Sequence, residues 1–199
     1  FSFVSEENAR KNLEAEMLGR SFADVRSEAT AVWNDLLGRI RVEGGTEREK
    51  GLFYSCLYRS FLWPALRSDV NGEFTDADGE VVNTGFRYYT GPSYWDDYRN
   101  KLILLGLLAP DVAADVISSD TDRGEKRGGF MPTFFHGDHA SAFVAGVYLR
   151  GIRGFDVRRA YELVLRNATV QGPIRPWLDE YVARGYIPEM DVENPVTQT

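Results

Sequence analysis

Two short stretches of this sequence hold the residue types that could do chemistry. The first, Tyr88–Arg99, reads Tyr-Tyr-Thr-Gly-Pro-Ser-Tyr-Trp-Asp-Asp-Tyr-Arg and gathers aromatic rings, adjacent carboxylates and a guanidinium into one segment. Aromatic faces stack on the C–H faces of a sugar ring, while carboxylates and guanidinium groups bind its vicinal hydroxyls. A Gly-Pro pair precedes a predicted helix start at Ser93, which would project these side chains from the end of a helix.

The candidate binding residues of this stretch are Trp95, Asp96, Asp97 and Arg99. A structural interpretation competes with the binding one. Trp95 and Tyr98 could be ordinary core aromatics, with the two carboxylates placed at the positive end of a helix dipole. Both interpretations stay open, because function has to be argued from a site and not from a pattern.

The second stretch, His136-Gly-Asp-His139, contains both histidines of the chain. A metal could use the two imidazoles with Asp138, although their spacing across a glycine is a weak metal pattern. Asp138 or His136 could instead act as a general acid or base at the head of a helix, with His139 contacting a sugar. In the third interpretation Asp138 caps the helix and the histidines bind loop carbonyls.

Charge and composition exclude several classes of protein. The net charge is −7 and no basic stripe is visible, which argues against a nucleic-acid partner. No run of eighteen apolar residues is present, so no membrane span is predicted. Cys56 is the single cysteine and falls on the apolar face of a helical pattern, which predicts a small buried side chain.

Hydrophobic periodicity predicts helices along most of the chain. Capping residues at Ser5, Ser21 and Thr46 begin the first three, and Pro64 should end the third. A polar, Gly-rich loop is expected at 120–129. The predicted helices cover 5–19, 21–43, 46–63, 93–108, 110–119, a segment ending at 150, 155–167 and 176–184.

The segment 66–92 is predicted to be a long loop with a short hairpin that pairs Val81-Val82 with Phe86–Tyr89. Asp69 and Asp76 each begin an Asp-x-Asx-Gly sequence. Neither continues to the glutamate that a calcium loop requires, so Asx turns are expected there instead. Paired helices without strand–helix alternation indicate an all-α fold, either a helical toroid or a bundle.

Taken together, these stretches resemble glycoside hydrolase family 92, the calcium-dependent exo-acting α-mannosidases. The resembling segments follow the family's order and cover nearly the whole chain: Ser2–Glu14, Phe53–Arg59, Ser68–Gly72, Tyr94–Arg99, Gly137–His139, Tyr148–Ile152, Phe155–Glu162 and Leu178–Pro188.

This resemblance implies a β-sandwich followed by an (α/α)6 barrel. Residues 1–4 would end the sandwich or its linker, and 5–199 would form the N-terminal part of the barrel. It further implies an inverting mechanism with an acid and a base carboxylate, and a calcium ion that binds mannose hydroxyls and helps to distort the ring. Mannose-containing glycans are the implied partners, and a secreted, periplasmic or cell-surface location is implied as well.

By the same resemblance, Trp95 and Asp96 match the family's Trp-Asp pair that holds the terminal mannose, and Arg99 follows in the same pattern. In the family pattern the base carboxylate would lie beyond Thr199, and the calcium ligands are expected mostly outside this chain as well.

The acid departs from the family pattern. Many members place a glutamate six residues before the glycine that matches Gly137, and Met131 occupies that position here. Either Asp138 or His136 replaces it, or the leaving group needs little protonation, as in a mannosyl phosphodiester. A non-catalytic carbohydrate-binding or interaction module derived from the same fold is the alternative.

Overall fold

The structure, a computed structural model, describes residues 1–133, 135 and 137–188. Helices dominate these residues, which confirms the predicted all-α class. The helices are α1 Glu6–Met17, α2 Phe22–Leu37, α3 Glu47–Ser60, α4 Tyr94–Asp97, α5 Lys101–Leu108, α6 Pro110–Lys126, α7 His139–Leu149, α8 Val157–Thr169 and α9 Leu178–Arg184. The predicted polar tail at 192–199 lies outside the described residues.

Side-chain caps begin the first three helices as predicted. Ser5 accepts a hydrogen bond from the Asn8 amide, and Ser21 and Thr46 each form a complete capping box. The expectation that Cys56 is buried is wrong, because its side chain is exposed and α3 buries only Leu57 among its residues.

The hairpin pairs different segments from those predicted. Strand β1, Phe74–Thr75, runs antiparallel to β2, Val81–Val82, and Tyr89 bridges to Leu66 instead of joining this hairpin. The turn between the two strands fixes which residues pair. One carboxylate oxygen of Asp76 accepts hydrogen bonds from the backbone amides of Asp78 and Glu80, both at 2.9 Å. The Asx turn at Asp76 is thereby confirmed.

The carboxylate of Asp69 binds the N-terminal segment instead of its own turn. It accepts hydrogen bonds from the Ser2 hydroxyl at 2.6 Å and from the side-chain amides of Asn8 at 2.9 Å and Asn12 at 2.7 Å. These contacts fasten α1 and the residues before it to the loop that begins at residue 66.

The predicted helix over 93–108 is two helices. The chain leaves helical geometry after α4, and the Asn100 side chain then accepts a 2.6 Å hydrogen bond from the Lys101 amide to cap α5. Asparagine competes for backbone hydrogen bonds in this way, which favours a cap over a helix interior.

Helix α6 is longer than predicted, and the expected loop at 120–129 begins only after Lys126. Charged residues extend the helix because Asp122 pairs with Lys126 at 2.7 Å, one turn further on. Gly124 allows close packing here: a Cβ at this position would lie 2.6 Å from the Phe130 carbonyl oxygen.

The core lies where α5, α6, α7 and α8 pack together. Its fully buried members include Val116 and Ile117 of α6, Ala140 of α7, and Met131 from the loop between them. Both chemistry-bearing stretches border this core. Across the described part of the chain, no helix combines the length and the apolar character needed to cross a membrane.

Candidate active site

Helix α4 divides the first stretch into an inner and an outer face. Tyr94 and Asp97 are buried, while Trp95 keeps 39% of its surface exposed and Asp96 is exposed beside it. A single helical turn therefore presents an aromatic ring and a carboxylate together, which is the pair of groups that sugar binding requires.

The other two candidate residues of this stretch are engaged within the chain. Asp97 pairs with Lys101 at 3.3 Å, and this ion pair links α4 to α5. Arg99 is exposed, and its Nε donates a 2.8 Å hydrogen bond to the Tyr98 hydroxyl. Asp96 also has a partner within the chain, since its carboxylate accepts a hydrogen bond from the Ser93 hydroxyl. Trp95 and Asp96 are nevertheless both exposed, and they place an aromatic ring next to a carboxylate on the outer face of α4.

The two stretches meet through aromatic contacts. The rings of Tyr98 and His139 stack with centroids 4.1 Å apart and planes 5° from parallel. Trp95 meets Phe135 edge to face, with centroids 5.8 Å apart. His136 lies outside the described residues. The structure thus joins α4, the loop before α7 and the first turn of α7 into one site.

Asp138 is the N-cap of α7, as the third interpretation of the His-Gly-Asp-His stretch predicts. Its carboxylate accepts hydrogen bonds from the Ser141 amide at 3.4 Å, the Ser141 hydroxyl at 2.6 Å and the Asn167 side-chain amide at 3.3 Å. All three contacts fit the role of a carboxylate that caps the helix and fastens it to α8.

Met131 and Asn167 are fully buried next to this cap. Asn167 donates a 3.0 Å hydrogen bond to the Met131 carbonyl, and its own Oδ1 is buried with no hydrogen-bond partner among the described residues. Met131, six residues before Gly137, is therefore an apolar part of the core.

Behind α4 lies an ion pair that sequence reasoning missed. Asp120 of α6 is fully buried, its partner Arg123 is largely buried, and the Tyr94 hydroxyl donates a hydrogen bond to Asp120. Burial raises the pKa of Asp120, while Arg123 and the Tyr94 hydroxyl oppose that rise. Burial and the neighbouring Asp120 charge raise the pKa of Tyr94 well above its ordinary value, so its hydroxyl remains a hydrogen-bond donor.

Asn167 and Phe135 were likewise missed, and no sequence pattern marks them. Asn167 is the last residue of the predicted helix 155–167, where an asparagine looks like a helix end and not like an inward-facing side chain. The aromatic pair Phe134-Phe135 gives a weak signal only, because Phe135 acquires its role through its contact with Trp95.

A metal site is not formed by the residues that the structure describes. Among 1–133, 135 and 137–188, no group of three or more His, Cys, Asp or Glu side chains could hold a metal ion. These residues therefore do not fit a calcium ion by themselves.

Solved structures with the same fold are glycoside hydrolases. The chain superposes on an inverting family GH92 mannosidase from Bacteroides thetaiotaomicron with a TM-score of 0.85 and 28% identity, covering 96% of this chain and 28% of that one. A second α-mannosidase of the family from the same organism gives 0.87 and 29%, covering 96% and 26%. Its structure is also known with mannoimidazole bound.

A curated relative, an uncharacterized secreted glycosidase from Arthroderma benhamiae, is 27% identical over 96% of this chain and 23% of its own length. The chain spans about a quarter of the length of these relatives.

The fold is that of part of a helical-toroid domain, as in these glycosidases. The sequence model of the glycosyl hydrolase family 92 catalytic domain matches residues 8–199, and the chain belongs to that family. The assignment of residues 1–4 to a preceding β-sandwich or linker stays a prediction.

Proposed function

We propose that the natural protein carrying this chain is an exo-acting α-mannosidase that releases terminal mannose with inversion. The observation that carries the proposal is the outer face of α4, where Trp95 and Asp96 are exposed side by side. Trp95 would stack on the C–H face of the terminal mannose, and Asp96 would accept hydrogen bonds from two of its hydroxyls. Relatives with this fold are named as mannosidases, which supports mannose over other sugars.

Residues outside the α4 pair complete the proposed site. We assign sugar contacts to Arg99 and His139 at its edges, and to Asp97 the support of α4 through Lys101. The resemblance adds a calcium ion and a catalytic base, whose ligands and carboxylate we place outside the described residues. A secreted, periplasmic or cell-surface location is part of the proposal, and the curated relative's name supports it.

The residues near Asp138 bear on which leaving group the enzyme would release. With Met131 buried where a glutamate often stands, the acid would have to be Asp138 or His136. Asp138 already caps α7 and binds Asn167 through three hydrogen bonds, which favours a structural role for it. A mannosyl phosphodiester leaves as a stable anion and needs no acid, so this arrangement favours it as the substrate class over glycosides of ordinary alcohols.

The test compares two substrates in the full-length natural protein: a mannobioside and a mannosyl phosphodiester. Asparagine caps helices as well as aspartate does, so Asp138→Asn should leave the melting temperature nearly unchanged and isolate the loss of the carboxyl group. If Asp138 is the acid, this variant should lose about a hundredfold or more on the mannobioside, more than His136→Ala loses, and far less on the phosphodiester.

Equal losses of Asp138→Asn on both substrates would restrict Asp138 to capping. The anomer released, followed by NMR, tests inversion, and chelation followed by calcium addition tests the metal. Glycan binding without turnover in the presence of calcium would instead support the non-catalytic module.

A further inference from the structure

The buried pair Asp120–Arg123 holds the segment that carries the proposed mannose site. Asp120 is fully buried, and one of its carboxylate oxygens accepts from Arg123 Nε at 3.1 Å and Arg123 Nη2 at 2.5 Å. The other oxygen accepts from the Tyr94 hydroxyl. Tyr94 is the first residue of α4 and immediately precedes Trp95, so this hydrogen bond joins the site-bearing turn directly to α6.

Arg123 extends the same attachment to the residues before α4. Its Nη1 donates a 2.6 Å hydrogen bond to the Tyr89 carbonyl, and its guanidinium lies 5.0 Å from the centre of the Tyr88 ring. Ser119, one residue before Asp120, accepts a 3.0 Å hydrogen bond from the Tyr89 amide. One turn of α6 therefore binds both ends of the segment that leads into the site.

Helix α4 has little internal stability to set its own orientation. It contains four residues, and Ser93 provides no side-chain capping bond to its backbone. Helices shorter than about twelve residues are marginal without tertiary contacts. The rotation of this turn, and with it the direction of Trp95 and Asp96, depends on what holds the buried Tyr94.

We propose that Asp120 and Tyr94 are positioning residues, whose hydrogen bond fixes the rotation of α4 so that Trp95 and Asp96 face the sugar; this inference rests on the proposed function. A buried ion pair contributes little net stability compared with apolar residues of the same shape, because desolvation offsets its attraction. What this pair provides is a directed acceptor at a fixed point. A displacement of about 1 Å at such a site can cost on the order of a hundredfold in rate.

The test is Tyr94→Phe in the full-length natural protein, because this variant keeps the buried ring and removes only the hydroxyl. The matched control is Asp115→Asn. It removes the negative charge from a 3.0 Å ion pair with Arg87. This pair joins the same helix α6 to the same preceding segment, but away from α4 and with an exposed arginine. Kinetics are measured well below both melting temperatures, on whichever mannose substrate the wild type turns over, with mannoimidazole affinity measured by calorimetry.

Tyr94→Phe should lower kcat/KM at least tenfold and weaken mannoimidazole binding by a similar factor, while Asp115→Asn stays within about twofold of wild type in both. Asp120→Asn, which retains one acceptor oxygen, should fall between Tyr94→Phe and wild type in kcat/KM if it folds.

An active wild type with Tyr94→Phe unchanged would overturn the inference and leave the proposed function standing. Equal losses in Tyr94→Phe and Asp115→Asn would overturn it too, since general loosening of α6 would then explain both. A wild type without mannose turnover or mannoimidazole binding would instead remove the proposed function, and the inference with it.

Discussion

Replacing Trp95 by alanine is the most direct test of the proposed sugar site, and the structure sets the size of the expected effect. Trp95 exposes 39% of its surface. A tryptophan side chain offers about 250 Å² in all, so about 100 Å² is open to a sugar face. At about 25 cal/mol per Å² the stacking is worth about 2.5 kcal/mol. That free energy corresponds to a loss of about 70-fold in kcat/KM.

The assay is steady-state turnover of a terminal α-mannoside or mannosyl phosphodiester by the full-length natural protein, with the melting temperature measured in parallel. The melting temperature should fall by only a few degrees, because Trp95 is 39% exposed and its contact with Phe135 is edge to face. Tyr161→Ala removes an aromatic ring that is 58% exposed on α8 and serves as the control. Unchanged kcat/KM in Trp95→Ala would refute the stacking role, and gross unfolding would return Trp95 to the core-packing interpretation.

The remaining predictions separate function from stability elsewhere in the chain. Asp96→Asn should lower kcat/KM without changing the melting temperature. Asp97→Asn should lower the melting temperature, because it breaks a largely buried pair with Lys101. The reverse pattern would contradict the two faces assigned to α4. Burial tends to raise the pKa of Asp69, but the hydrogen bonds that it accepts from three side chains outweigh this effect and lower the pKa. The ionised Asp69 therefore stabilises the folded protein above about pH 4, and this stabilisation is lost as the pH falls further. Asp69→Asn should therefore flatten the acid limb of a stability–pH curve, and an unaltered limb would count against this attachment of the N-terminal segment. Residues 1–199 expressed alone should aggregate or self-associate, because α2 buries none of its residues; sedimentation as a monomer with a cooperative melt would show otherwise.

Local sequence signals predicted the parts of the fold that local interactions determine. Ser21 and Thr46 cap their helices with partners three residues away, and Asp76 turns the chain through amides within four residues. Sequence spacing alone contains all the information these contacts need. The type and order of most helices followed for the same reason.

Signals failed where a polar residue had a distant or same-helix partner. The run after Ser119 looked like a loop because it is rich in charge, yet Asp122 and Lys126 pair along the helix and Asp120 faces the core. Asp120 is compatible with burial only because Arg123 and Tyr94 meet it there, and Tyr94 is 26 residues away in sequence. Periodicity treats such a carboxylate as solvent-facing, so neither the helix end nor the network could be predicted.

The candidate site itself was half predictable. The residue types of Trp95 and Asp96 indicated a sugar-binding role, and the structure places both on the outer face of α4. Asp97 faces inward because it lies three residues after the buried Tyr94, on the same face of the helix. The sequence alone does not show which of the adjacent residues Asp96 and Asp97 faces the core.

Two aromatic contacts make the sugar-binding turn and the start of α7 a single unit. On the buried side, the Tyr94 ring meets Phe143 of α7 with centroids 6.1 Å apart. Four residues further on, on the same face of the turn, Tyr98 packs against the core and stacks on His139 at 4.1 Å. Because these two contacts lie one helical turn apart, they hold α4 against α7 at both ends and resist its tilt. The residues proposed to hold mannose and the carboxylate that caps α7 therefore keep a fixed relation, and the geometry between bound sugar and that carboxylate is a property of packing and not of loop closure.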